Sequence, residues 1–249
     1  MIAVKLSSQG RRFMEWLVFF WLAYFLVHSA LASFRVKRWF ARRYPKNAPF
    51  YRAGFNLVSL VLLLPILWQM QHHPGAVWWT WHGWEAWLGN ALALAAIAAF
   101  VASLRHYDGK EFLGLRQMQA SAGSSETINA IDAINDSEEF RISPFHRYVR
   151  HPWYFFSLIL IWTRDMNGAM LVSAVLLTLY FVVGSLLEER KLIARHGDAY
   201  RRYAQRVPGL IPLPWKSLSQ EEAATLLATA KERKEDARRF AAGNTRPGV

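Results

Sequence analysis

Two polar clusters sit at the ends of apolar runs, and their residue types suit the holding of a charged small molecule. The first is Tyr148-Val149-Arg150-His151-Pro152-Trp153-Tyr154. Pro152 stands where a helix would begin, a position at which its missing N–H costs nothing. A helix start offers free backbone N–H groups and the positive end of the dipole, so with Arg150 and His151 beside it the stretch could bind a carboxylate or phosphate. On the alternative reading, Pro152 only starts the helix and Arg150 only anchors it at a membrane interface.

The second cluster is Leu186-Leu187-Glu188-Glu189-Arg190-Lys191, which puts two acids where Lys and Arg otherwise collect. Glu188 and Glu189 could hydrogen-bond ribose hydroxyls or pair with a sulfonium or α-amino cation; equally, they could pair with Arg190, Lys191 or Arg150. Elsewhere, His28, Arg116 and Gln117 have the chemistry to orient or deprotonate a nucleophile. For His28 the alternative is a hydrogen-bonded histidine between membrane helices. His72, His73 and His82 fit no metal-ligand spacing and read as interfacial.

The elements that must position these residues are long apolar helices. A chain of 249 residues with 53% hydrophobic content, 12 Trp, 16 Phe and 9 Tyr has more apolar surface than a soluble domain of that size hides. Its mean hydropathy is only +0.06 because apolar runs alternate with very basic segments. The runs cover 13–32, 55–70, 84–104, 153–163 and 170–187, with Pro65 inside the second as a kink candidate. The fourth, at about 11 residues, is too short for an untilted crossing and must tilt, extend through its flanks or re-enter. The expected fold is an all-α polytopic membrane protein with about five transmembrane helices and a cytoplasmic, cofactor-binding C-terminal region.

Charge sets the orientation. Lys and Arg number 3 before the first run, then 7, 0, 6 and 1 in the successive loops, and 13 after the last run. Positive charge is retained inside, so the first and third loops and the tail are cytoplasmic, and the N-terminus is outside. The net charge of +12 is thereby explained at the membrane surface, with no nucleic-acid partner required. The absence of cysteine excludes disulfides, thiolate metal sites and a cysteine nucleophile. A polar stretch over 121–139 has the composition of a mobile insertion. After the last run come a helix ending at His196-Gly197 and a second, N-capped by Asp198, with Tyr200 and Tyr203 on one face. Ser219 to Glu222 spells a capping box for a charged helical tail over 216–249, a candidate for lipid or homodimer contact.

Taken in order, Arg150-His151-Pro152-Trp153-Tyr154, Glu188-Glu189-Arg190-Lys191-Leu192, Gly197-Asp198-Ala199-Tyr200-Arg201-Arg202-Tyr203 and Val207-Pro208 resemble the C-terminal signature of the isoprenylcysteine carboxyl methyltransferase and phospholipid methyltransferase superfamily. An ordered set of motifs over about a quarter of the chain is far more specific than any one of them. Phe112-Leu113-Gly114-Leu115-Arg116-Gln117 resembles bacterial methanethiol S-methyltransferase-like members. His28-Ser29-Ala30-Leu31-Ala32-Ser33 resembles a histidine-serine motif of these relatives and of related denitrification-associated membrane proteins.

The resemblance implies a methyltransferase domain over 1–215 in a bacterial inner membrane, with S-adenosylmethionine as cofactor. It implies that Arg150, His151, Pro152 and Tyr154 line the cofactor site, that Glu188 and Glu189 meet its ribose or ammonium side, and that Tyr200 and Tyr203 close the pocket. Arg116, Gln117 and His28 are the catalytic candidates, acting on a lipophilic or small thiol, carboxylate or amine acceptor. The insertion at 121–139 departs from the closer pattern and leaves the acceptor open. Two other readings stand beside this one: an NADPH-dependent reductase of the sterol-reductase kind, and a non-catalytic membrane accessory protein.

Overall fold

The computed structural model describes residues 8–106, 109–123 and 140–243. The polar insertion expected over 121–139 lies outside the described residues from position 124 onward. In chain order the elements are α1 (Ser8–Ala32), α2 (Phe34–Arg43), a 3-10 turn (Pro45–Phe50), α3 (Tyr51–His72), β1 (Val77–Trp79), α4 (Gly83–Leu104), α5 (Gly109–Leu113) and α6 (Leu115–Gly123). After a 3-10 turn at Phe145–Arg147 come α7 (Pro152–Trp162), β2 (Met166–Asn167), α8 (Gly168–His196), α9 (Asp198–Arg206) and α10 (Gln220–Gly243).

Four stretches, Gly10–Ala32, Pro45–His72, Gly83–Leu104 and Gly168–His196, are long and apolar enough to cross a membrane. Their outward side chains are bare hydrocarbon: Leu26 is 73% exposed, Leu94 67% and Leu179 57%. Lipid satisfies such a surface and water does not, and a helix is the element that pairs its own backbone groups in that setting. The 153–163 run forms α7, whose 11 residues reach only about 16 Å at the helical rise, against a hydrocarbon core of about 30 Å. Pro65 lies inside the uninterrupted α3.

The described residues form two compact units: those before position 124 together with 160–180, and 140–159 together with 181–243. Helices α7 and α8 contribute residues to both. In the first unit Leu17, Trp21, Ile66 and Ala169, each at most 4% exposed, pack α1, α3 and the first half of α8 together. Trp21 Nε1–H donates to Ser173 Oγ at 2.8 Å and Gln69 Nε2–H to the Phe13 carbonyl at 2.9 Å, polar ties of the kind that hold membrane helices. Gly114 has φ +84°, and a Cβ there would lie 3.0 Å from the Ala53 backbone nitrogen. Only glycine lets the α5–α6 turn approach the start of α3, where Arg52 Nη1–H donates to the Glu111 carbonyl at 2.7 Å.

Three details differ from the sequence expectation. Strands β1 and β2 pair antiparallel, Val77 with Asn167 and Trp79 with Met166, a ladder of three residues against two that is too short to show an alternating pattern. The last apolar run and the helix expected after it are one helix, α8, because Glu188 through His196 are good helix formers that carry it past the apolar stretch. Asp198 does not cap α9: Gly197, at φ +58°, occupies the cap, and Asp198 in the first turn pairs with Arg201 at 2.9 Å.

The second unit has its own core of Tyr200, Tyr203, Val207, Leu218 and Ala223, packed by Phe140, Leu192 and Leu226. Ser219 and Glu222 form a reciprocal capping box at the start of α10. Glu222 N–H donates to Ser219 Oγ at 3.0 Å, and Ser219 N–H to Glu222 Oε2 at 2.7 Å. The Ser219 N–H bond to the carboxylate, with the Arg206 guanidinium 2.7 Å away, holds the Glu222 carboxyl below the usual carboxylate range.

Candidate active site

The second unit brings the two polar clusters together. Pro208 and Gly209, just past the end of α9, aim their carbonyls back at the start of α7. Arg150 N–H donates to Pro208 O at 2.8 Å and His151 N–H to Gly209 O at 3.1 Å. The return is tight: a Cβ on Gly209 would meet Arg150 Nη2 at 3.3 Å and Glu189 Oε1 at 3.6 Å, so a larger residue would push the guanidinium aside. Pro152, buried at the first position of α7, needs no N–H partner there.

The Arg150 side chain turns into the unit. Its Nε–H and Nη2–H donate to Glu189 Oε1 and Oε2, each at 2.9 Å, and Nη1–H groups reach the carbonyls of Ala204, at 2.6 Å, and Val207. Four of five guanidinium protons are thus placed on internal acceptors, in a forked carboxylate pair that only arginine makes. The carbonyls of Ala204 and Val207 are among those a helix end leaves without partners. Arg150 therefore ties α7, α8 and α9 to one another, and its charge is matched from within.

His151 lies across both acids. Its Nε2 is 3.1 Å from Glu189 Oε1 and its Nδ1 3.5 Å from Glu188 Oε2, with the ring itself 6% exposed. Two carboxylates facing two ring nitrogens favour the doubly protonated imidazolium. Burial alone would lower the His151 pKa, but the hydrogen bonds and negative charge of Glu188 and Glu189 raise it above the ordinary histidine value. The acids themselves part company. Glu189 is 14% exposed and engaged by Arg150 and His151, whereas Glu188 is 50% exposed and keeps one face of its carboxylate toward the outside.

Tyr154 stacks its ring on His151 at 5.3 Å and on Phe181 at 4.8 Å, giving a three-ring column beside the acids. Tyr200 and Tyr203, which the resemblance has closing the pocket, are buried in the core of this unit, each 2% exposed. Tyr203 O–H donates to His146 O at 2.7 Å. Burial and the nearby Glu189 carboxylate push the Tyr200 phenol pKa up.

The catalytic candidates belong to the first unit. The Ser59 hydroxyl donates its single proton to Phe55 O at 2.9 Å, so at 3.1 Å it accepts from His28 Nδ1–H, which leaves the neutral imidazole lone pair on Nε2. Tyr24 stacks on the His28 ring at 5.4 Å, and next to it Ser29 Oγ meets the Tyr180 hydroxyl at 3.1 Å. On α6, Arg116 is exposed and Gln117 half-buried; Gln117 Nε2 reaches Glu111 O at 3.5 Å, and its Oε1 is buried with no hydrogen-bond partner.

Reading residue types alone missed Pro208, Gly209 and Phe181 as parts of the site. Val207-Pro208 belongs to the family-like signature, but nothing in a residue's type marks its carbonyl as a clamp. The apolar positions of α8 likewise do not single out Phe181 as the ring that Tyr154 stacks on.

The chain is similar over most of its length to several bacterial enzymes. It is 32% identical over 192 residues to the methanethiol S-methyltransferase of Crocosphaera subtropica, covering 75% of this chain and 70% of the relative. It is 32% identical to methanethiol S-methyltransferase 2 of Bradyrhizobium diazoefficiens, covering 74% and 68%. It is 33% identical to the methanethiol S-methyltransferase of a Pseudomonas species, again covering 74% and 68%. No family model matches the chain, and no solved structure matches it. With four membrane-length helices, a helix start locked to two acids, and relatives of this kind aligned over three quarters of its length, the chain belongs to the methanethiol S-methyltransferase family.

Proposed function

We propose that this protein transfers the methyl group of S-adenosylmethionine to the sulfur of a small thiol within the membrane. The observation that carries the cofactor reading is the inequality of the two acids: Glu189 is matched by Arg150 and His151, while Glu188, 50% exposed, has room for a cation or a ribose hydroxyl. That donor set fits a cationic, ribose-bearing ligand better than a phosphate-rich one, because Arg150 has at most one guanidinium proton left to offer. Glu188, His151 and Tyr154 would hold S-adenosylmethionine, which supplies an electrophilic methyl on a positively charged sulfur. Sulfonium charge disappears during transfer, so alignment and exclusion of water help more than a strong acid.

On the acceptor side the thiol sulfur forms the new C–S bond as the sulfonium C–S bond breaks, giving a methyl thioether and S-adenosylhomocysteine. The thiol proton goes to a base, for which His28 Nε2 has the open lone pair. Gln117, with its unpaired Oε1, and the exposed Arg116 are the other residues to test for acceptor orientation. A small thiol is preferred to a lipid acceptor on the names of the relatives.

A fifth crossing is part of the same proposal: α7, at 11 residues, would have to tilt or extend through its flanks to complete it. The positive-inside distribution then puts the start of α7 and the tail in the cytoplasm. The deciding experiment is equilibrium binding of S-adenosylmethionine and, separately, NADPH to the purified protein, followed by transfer of a labelled methyl group to methanethiol. Binding of S-adenosylmethionine that is lost in Glu188→Ala supports the proposal. Tighter binding of NADPH would select a reductase, and binding of neither a non-catalytic role.

A further inference from the structure

Helix α2 presents a face that methyl transfer does not use. Ser33 joins it to the membrane helix before it: Ser33 Oγ accepts from Val36 N–H at 3.3 Å and donates to Ala30 O at 2.6 Å, so α2 begins where the span α1 ends. One side of α2 is internal, with Ala41 buried and Phe40 packed against Tyr51. The other side carries Arg35, Arg38, Arg42 and Arg43 around Trp39, which is 58% exposed, and these five residues line an open groove of about 570 Å³. Among the described residues none of the four guanidinium groups pairs with a carboxylate. Arg38 Nε–H turns only to Phe34 O, and Arg43 lies over the Tyr44 ring at 5.0 Å.

We propose that this groove binds the headgroup of an anionic phospholipid. Four unmatched guanidinium groups within three turns complement a phosphodiester, which accepts the arginine fork in its planar geometry. The groove volume lies within the range of small-molecule sites, about 300–1,000 Å³, and exceeds what one bare ion would need. Trp39 decides between a lipid and free phosphate: an exposed indole amid arginines is satisfied at the headgroup boundary and gains nothing from an aqueous ion. The groove opens directly off the span α1, where the lipid surface lies. This inference stands independently of methyl transfer.

The test is native mass spectrometry of the full-length protein released from detergent with phosphatidylglycerol or phosphatidylcholine present. Phosphatidylglycerol adducts are expected to dominate. In Arg38→Gln/Arg42→Gln they fall about 25-fold, from about five-fold per basic residue removed at the membrane surface. Arg11→Gln/Arg12→Gln, with the same charge loss at the other end of α1, keeps them within two-fold. Equal occupancy by the two lipids in the unaltered protein overturns the proposal with no variant involved. So does displacement of phosphatidylglycerol by millimolar inorganic phosphate, or an equal loss in the two double variants.

Discussion

Arg150 closes a fork on Glu189, Nε–H to Oε1 and Nη2–H to Oε2, each at 2.9 Å, across 39 positions of sequence. The pair is 14% exposed on either side, so removing one partner leaves a mostly buried charge. Glu189→Gln is therefore expected to cost about 2–3 kcal/mol, below the fully buried range because some solvent reaches the pair. Glu188→Gln, at a half-exposed carboxylate, is expected to cost under about 0.5 kcal/mol in stability yet weaken S-adenosylmethionine binding. Thermal unfolding and equilibrium binding on both variants separate the roles; equal losses of melting temperature would show that Glu188 is structural as well.

The imidazole between these acids makes stability depend on pH. His151 has a folded pKa above its unfolded value of about 6.5, so its contribution is complete below that value and disappears as pH rises through the folded pKa. The melting temperature of the unaltered protein is expected to fall as pH is raised from about 6.5 toward alkaline values. His151→Asn should remove most of that slope. Parallel slopes in the two proteins would assign the pH dependence to other groups.

Tyr203 offers a contrast between packing and ligand contact. Its ring is 2% exposed and its hydroxyl donates to His146 O, so Tyr203→Phe takes that partner from a half-buried carbonyl. The expected loss is about 1–2 kcal/mol, and about 3–5 kcal/mol for Tyr203→Ala, which also opens a cavity. The dissociation constant for S-adenosylmethionine should stay within two-fold in Tyr203→Phe. A variant that kept its melting temperature and lost affinity would place Tyr203 at the pocket.

What could be read without coordinates follows the range of the forces involved. Apolar runs, the capping box at Ser219 and Glu222, and the helix start at Pro152 are local signals, and each appears at its place in the described residues. The i, i+3 spacing of Tyr200 and Tyr203 defined a shared face, but which way that face turns depends on Phe140, Leu218 and Ala223, far off in sequence. Glu188 and Glu189 are adjacent and look equivalent; the helical turn between them sends one into the Arg150 fork and leaves the other half in solvent. The β1–β2 ladder was unreadable because a two-residue strand has no period.

His28 is the sharpest test of the acceptor chemistry. Its Nδ1–H is held by Ser59, whose own proton is held by Phe55 O, so the ring offers a lone pair only at Nε2. If that lone pair takes the thiol proton, His28→Gln should lower the transfer rate about 10²–10⁴-fold while S-adenosylmethionine binds as before. Raising the pH then matters, because a thiol ionises unaided on the alkaline side, with about 8.5 the ordinary value for cysteine. The variant's rate should climb with pH toward that of the unaltered enzyme, whose own rate changes less. A histidine that only joined α1 to α3 would give a variant whose deficit is the same at every pH, and that result would remove His28 from the reaction.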